Sequence, residues 1–149
     1  MHDAQVACQH LVHAFAHHLD HRRFNEAAEL FTEDAAWERH GHVFNGPSEI
    51  RAAIEQRSPS VVERHVITTT MVERLTETEC SAVSYAMIFR GERRDSDGVI
   101  TSGPATVGDL HDKFRLTERG WRFTHRTSQL IFRPQPSVEA PTGTPSLNR

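Results

Sequence analysis

Near Ser58-Pro59-Ser60 the hydrophobic pattern of this chain changes its period, and that change sets the fold class. Before it, Cys8, Leu11, Val12, Phe15 and Leu19 recur at helical spacing and define the apolar face of a helix over 4–19. A second helix is expected over 23–31, with Phe24, Ala27, Ala28, Leu30 and Phe31 available for burial. Residues 35–44 read as a strand or hairpin turned by Gly41. Asn45-Gly46-Pro47-Ser48 is a turn into a third helix over 48–56, where Pro47 is tolerated in the first turn. After the Ser-Pro-Ser break the period falls to two. Segments 64–75, 79–90, 104–117 and 119–133 read as strands, the last two joined by a tight turn near Gly120. The charged stretch 90–95 reads as a solvated loop. Helices followed by a run of strands make an α+β domain, with three N-terminal helices packed on one face of a strongly curved, mostly antiparallel sheet. Such a half-open cone leaves room for a small molecule between helices and sheet.

The 149 residues suit a single domain over 1–133. The remainder, 134–149, holds four of the seven prolines and almost no apolar residues, so a disordered tail is expected. A formal net charge of −3 provides no basic field for nucleic acid. No apolar run approaches membrane-spanning length, and MHDAQVACQH is too polar for a secretory leader. Two cysteines without a C-x-x-C, Cys8 and Cys80, fit core positions in a reducing compartment, and a cytoplasmic location is expected. Lys113 is the only lysine, which leaves Schiff-base chemistry a single candidate.

Eleven histidines are many for this length. His10, His13, His17 and His21 form a stripe opposite the apolar helix face, and His40-Gly41-His42 adds two more; a solvated surface is the expected reading, with no metal site. Asp20 stands among His17, His18 and His21. It is either the N-cap of the second helix or half of a catalytic pair. If the first helix ran on through Asp20, the side chain would be expected on the polar side, so the pair requires that helix to end or turn at Leu19. For His65, at the head of the first long strand, the competing reading is a half-buried strand histidine bonded to backbone.

The order "LDHRRFNEAAELFTEDAAW", "VFNGPSEIRAAI", "ERHVITTTMVE" and "DLHDKFRLTERGWRFTHRTSQLIFR" resembles the SnoaL-like branch of the nuclear transport factor 2-like (NTF2-like, cystatin-like) superfamily over about 5–133. In its dehydratase and dehydrochlorinase members an Asp after the first helix and a His opening the strand after the third helix form an acid–base dyad. Asp20 and His65 occupy the matching positions. The sequence departs from that pattern at Leu19, where a Tyr is frequent, and shows no second histidine in "SYAMIFRGERR". The resemblance implies a cofactor-independent lyase, dehydratase-like, acting on a small hydrophobic, cyclic or aromatic molecule. The alternatives it leaves open are an isomerase or polyketide-type cyclase with the same dyad, and a non-catalytic binding module. It also implies a homodimer or homotrimer. Strand alternation and residue type add candidate substrate-binding residues: Trp37, Phe44 and Phe89 as apolar walls, Tyr85 as a donor, and Asp109, His111, Phe123 and His125 as further lining. Ile67, Thr69 and Met71 are expected on the face of His65, and Trp121, Phe123, His125 and Thr127 on one face of the last strand.

Overall fold

The structure, a computed structural model, describes residues 2–92, 98–100, 102–103 and 105–134. The expected tail, apart from Pro134, and most of the 93–104 connection lie outside the described residues. Helix α1 spans His2–Asp20, α2 Phe24–Ala28 and α3 Gly46–Glu55. Strands are β1 Phe31–Arg39, β2 His42–Asn45, β3 Val61–Arg74, β4 Glu79–Glu92, β5 Thr106–Thr117 and β6 Gly120–Phe132. They form one sheet in the order β2-β1-β6-β5-β4-β3, parallel between β1 and β6 and antiparallel elsewhere. The sheet is curved and unclosed, and its inner face receives the helices: the NTF2-like α+β cone.

Local chemistry accounts for the early elements. α2 is shorter than expected, because Phe31 is already in β1 beside Phe123 of β6. The β1–β2 hairpin turns at His40 and Gly41, both at positive φ (52° and 78°), as a type I′ connection requires. Gly46 opens α3 at φ 69°, and a Cβ there would sit 2.9 Å from the Glu33 carbonyl oxygen, so no other residue fits. The Glu49 carboxylate accepts the Asn45 backbone N–H at 2.7 Å, which satisfies one open donor at the start of α3.

The core lies between α1 and the inner sheet face. Cys8, Leu11, Val12, Phe15 and Leu19 of α1 are all buried, as the helical spacing predicts. Phe15 meets Phe31, Trp37 and Phe123 edge-on at 5.5–6.2 Å. Curvature comes with breaks in register, including one in β3 between Thr68 and Met71 and one between β5 and β6 at Lys113/Phe114. These bulges correct two expectations. Met71 pairs with Val83 and is 70% exposed, so Thr69 and Met71 do not continue the face of His65. Likewise Phe123 faces the core while His125, beyond the bulge, turns outward.

Candidate active site

Asp20 is the last residue of α1, and the helix carries it to the inner face rather than the polar side. It continues the i, i+4 row of Cys8, Val12 and Ala16, all buried. The expectation that pairing needs the helix to stop at Leu19 is therefore corrected: one further residue of helix aims the carboxylate inward. Termination follows at once. Arg22 adopts φ 57°, its N–H bonds the Leu19 carbonyl (3.1 Å), and the Arg23 N–H bonds that of His18 (2.8 Å). That is a Schellman closure with Arg in the position glycine usually takes. The N-cap of α2 is Arg23, so Asp20 does not cap that helix.

His65 lies near the start of β3, across from Ile88 of β4. Its Nδ1 stands 2.6 Å from Asp20 Oδ1, and its backbone N–H donates to Asp20 Oδ2 at 2.9 Å. One carboxylate thus grips one residue at two points, fixing both the strand and the ring. The side chains are 7% (Asp20) and 11% (His65) exposed, so the pair is nearly dry. Burial by itself raises the Asp20 pKa, but the ring and backbone hydrogen bonds from His65 outweigh it and hold the carboxyl below its ordinary value. An ionised Asp20 only accepts, so the hydrogen bond places a proton on Nδ1; in the neutral ring the lone pair is then on Nε2. Among the described residues nothing bonds Nε2.

Beside this pair stands a charged cluster that the sequence reading missed. Glu63 shares the inner face with His65 and is buried. It accepts from Arg57, just past α3, and from Arg90 of β4, whose Nε lies 2.8 Å away. Their attraction outweighs burial and keeps Glu63 below its usual range. Arg39, at the end of β1, completes the group. Its guanidinium lies 5.5 Å from the Trp37 ring centroid, and burial pulls it below its ordinary value against the pull of Glu63. Arg90 is in β4, as the 79–90 segment predicts, and its guanidinium, though exposed, joins an ion-pair cluster that the solvated-loop reading of 90–95 did not foresee; residues 93–95 lie outside the described ones. The signal was available in part: the alternation that aligns Ile67 with His65 also aligns Glu63 with it.

Trp37 and Phe44 pack at 5.8 Å on the inner side of the β1–β2 hairpin. Phe123 is fully buried in the core under Phe15 and beside Phe114. The other candidates lie elsewhere. Tyr85 pairs with Thr68 and Asp109, Phe89 with Arg64, and His111 with Val83, all on the face opposite His65. Tyr85 and Phe89 are exposed there, and His125 bonds Glu38 at 3.1 Å. On the inner side the large polar pair is instead Asp112–Arg126, bidentate at 2.6 and 2.7 Å. Arg126 also lies over the Phe15 and Phe123 rings.

His10, His13, His17 and His21 are exposed, and His17 stacks on His21 at 4.2 Å. Among the described residues no three His, Cys, Asp or Glu side chains cluster as a metal ion would need. Cys8 and Cys80 are buried free thiols; burial, then the neighbouring Cys80, pushes the Cys8 thiol far up, so it is no nucleophile. Among the described residues no helix is long and apolar enough to cross a membrane.

Comparison with known proteins agrees with this architecture. Several solved structures share the fold. One is a proposed aromatic ring hydroxylase from Novosphingobium aromaticivorans, 22% identical, TM-score 0.74, with 91% of this chain and 94% of that one covered. A proposed scytalone dehydratase from the same species is 18% identical, TM-score 0.73, covering 94% and 99%. A Catenulispora acidiphila protein in complex with S-DNPA is 21% identical, TM-score 0.71, covering 87% and 95%. At these identities the likeness shows the fold alone. No curated protein matches the sequence. The SnoaL-like domain family matches residues 2–127, which takes in every helix, the whole of β1–β5 and most of β6, and the chain belongs to that family.

Proposed function

We propose that the chain is a dehydratase-like lyase in which His65 is the base and Asp20 its orienting partner. The observation that carries this reading is the two-point contact of the Asp20 carboxylate with the ring and backbone of His65. The free Nε2 takes a proton from the carbon next to an activating group. The electron pair left behind forms the C=C bond. The C–O bond on the adjacent carbon breaks, and the hydroxyl departs as water after receiving the proton from the imidazolium. His65 returns to its starting state, so one residue acts in turn as base and acid. Asp20 holds the Nδ1–H tautomer and stabilises the imidazolium between the two transfers. Returning the proton to a different carbon instead makes the same pair an isomerase or cyclase. Trp37 and Phe44 supply the apolar wall on the hairpin side, consistent with a cyclic or aromatic substrate.

The exposed apolar residues of the outer sheet face support a homo-oligomer. The buried free thiols are compatible with a reducing cytoplasmic setting.

The test is a screen of β-hydroxy and halogenated ring compounds against wild type, Asp20→Asn and His65→Ala. Both substitutions are expected to lower turnover about 10²–10⁴-fold with the fold retained by circular dichroism. Unaltered turnover in either variant removes that residue from the mechanism. Product analysis separates elimination from isomerisation, and ligand binding without turnover across the screen marks a binding module.

A further inference from the structure

The charge cluster beside the dyad is unbalanced. Three guanidiniums, Arg39, Arg57 and Arg90, stand against two carboxylates, Glu63 and Asp20. With His65 neutral, a single positive charge is left over on the inner face of a chain whose formal net charge is −3. The donors show the same surplus. Arg57 and Arg90 spend their bonds on Glu63, and the Arg57 Nε is buried with no partner among the described residues. Arg39 makes no side-chain hydrogen bond among the described residues; its guanidinium lies over the face of Trp37, within the field of Glu63. A half-buried guanidinium carries five N–H donors in a planar fork and rarely stays without an acceptor, because stripping its water without replacement is unfavourable. Burial already works against its charge.

The location ties this surplus to the dyad. Glu63 lies two residues before His65 on the same face, roughly 7 Å along the strand. The charges of Arg39 and Asp20 both act on Arg57. The Trp37 ring beneath Arg39 is buried, and Phe44, partly buried and 5.8 Å from it, is the apolar group beside it that is still open.

We propose that Arg39, backed by Arg57, receives the carboxylate of a small molecule whose apolar part rests on Phe44 beside His65. The ligand class is therefore a monoanionic acid with a ring or chain behind the carboxylate, and the anion brings the cluster to neutrality. The acid group is distinct from the carbon that His65 deprotonates, since a carboxylate next to a forming carbanion would oppose it. This deepens the lyase reading and rests on it only in taking the ligand as substrate.

The test does not depend on turnover. The full-length protein is titrated calorimetrically with acetate, cyclohexanecarboxylate and benzoate, and with the amide of each. At least one acid is expected to bind tenfold or more tightly than its amide. Arg39→Gln, which breaks no hydrogen bond within the protein, brings acid and amide within twofold of each other, and Arg39→Lys keeps part of the preference. His65→Ala keeps it in full. Equal or undetectable binding of acids and amides by wild type overturns the proposal, as does a preference that survives Arg39→Gln. If the preference holds while neither elimination nor isomerisation is found in the screen, the lyase reading falls and the anion site stands.

Discussion

Asp20 and its charge state set the pH behaviour at the scale of single residues. Its native pKa is held down by His65, below the unfolded value of about 3.9. Around that pH the native state binds fewer protons than the unfolded chain, so stability rises with pH. The Asp20 contribution is complete above the unfolded pKa and is lost as the pH falls through the native one. Asp20→Asn removes it, so the stability gap between wild type and variant should shrink on acidification, as read by urea unfolding between neutral pH and about pH 3. A gap that stays constant would mean the carboxylate is not ionised in the fold. The Asp112–Arg126 pair gives a second expectation. Both groups are about 2% exposed and bonded to each other, so Arg126→Met or Asp112→Asn alone strands a buried charge and should cost about 3–5 kcal/mol in denaturant unfolding. The double substitution should cost less than either single one. Asp20 and His65 were legible through the order of segments around them, whereas the chain's own helical pattern argued against Asp20. The helix face was assigned too narrowly: the row Cys8, Val12, Ala16 leads straight to residue 20, and polarity hid it.

At the scale of elements, period and turn chemistry located every helix and strand within a few residues, but strict alternation failed wherever a strand bulges. In β3 the break falls at Thr69, a β-branched residue at φ 50° and exposed. No local composition announces it, since Gly or Asn would be the ordinary occupant. The bulge was invisible for that reason, and Met71 was placed on the wrong face. The strain has a measurable consequence. Thr69→Gly relieves the left-handed backbone without removing a buried contact and should stabilise the protein by about 1 kcal/mol, a rise in melting temperature of a few degrees. Loss of stability would show that the bulge is held by the threonine side chain. The helix end at Arg22 is a parallel case with a compensation. Its left-handed backbone is unfavourable for Arg, yet its guanidinium bonds the Arg57 and Ser58 carbonyls at 3.1 and 3.3 Å. The end of α1 is thereby tied to the end of α3, and Asp20 to the backbone that carries Arg57.

The whole molecule decides which side of the sheet does what. Folding the strands around α1 turns Glu63, His65 and Ile88 to the concave face, with Arg90 at its exposed rim, and sends Tyr85, Phe89, Asp109 and His111 to the convex face. Sequence pattern specifies that two faces exist, not which one the helices cover; Tyr85 and Phe89 were placed by residue type, and the alternation that put Asp109 and His111 on one face did not say which face that was. The charged cluster was illegible for the complementary reason: it draws on β1, the end of α3, β3 and β4, and no local spacing joins them. The convex face then needs its own explanation. Val66, Val83, Tyr85 and Phe89 are 37–46% exposed on adjacent strands β3 and β4. Apolar groups gathered on one open surface are more consistent with association than with solvent, and a twofold axis lets one patch serve both copies. Light scattering coupled to size exclusion should report a dimer or larger closed assembly for wild type at micromolar concentration. Tyr85→Glu with Phe89→Glu should shift it to the monomer, with circular dichroism unchanged, because both side chains leave solvent only through the partner. Those residues would then have no part in substrate contact, and a monomeric double variant should retain the turnover of its parent within about a factor of three. A wild type that runs as a monomer would return the convex aromatic residues to consideration as a second ligand surface.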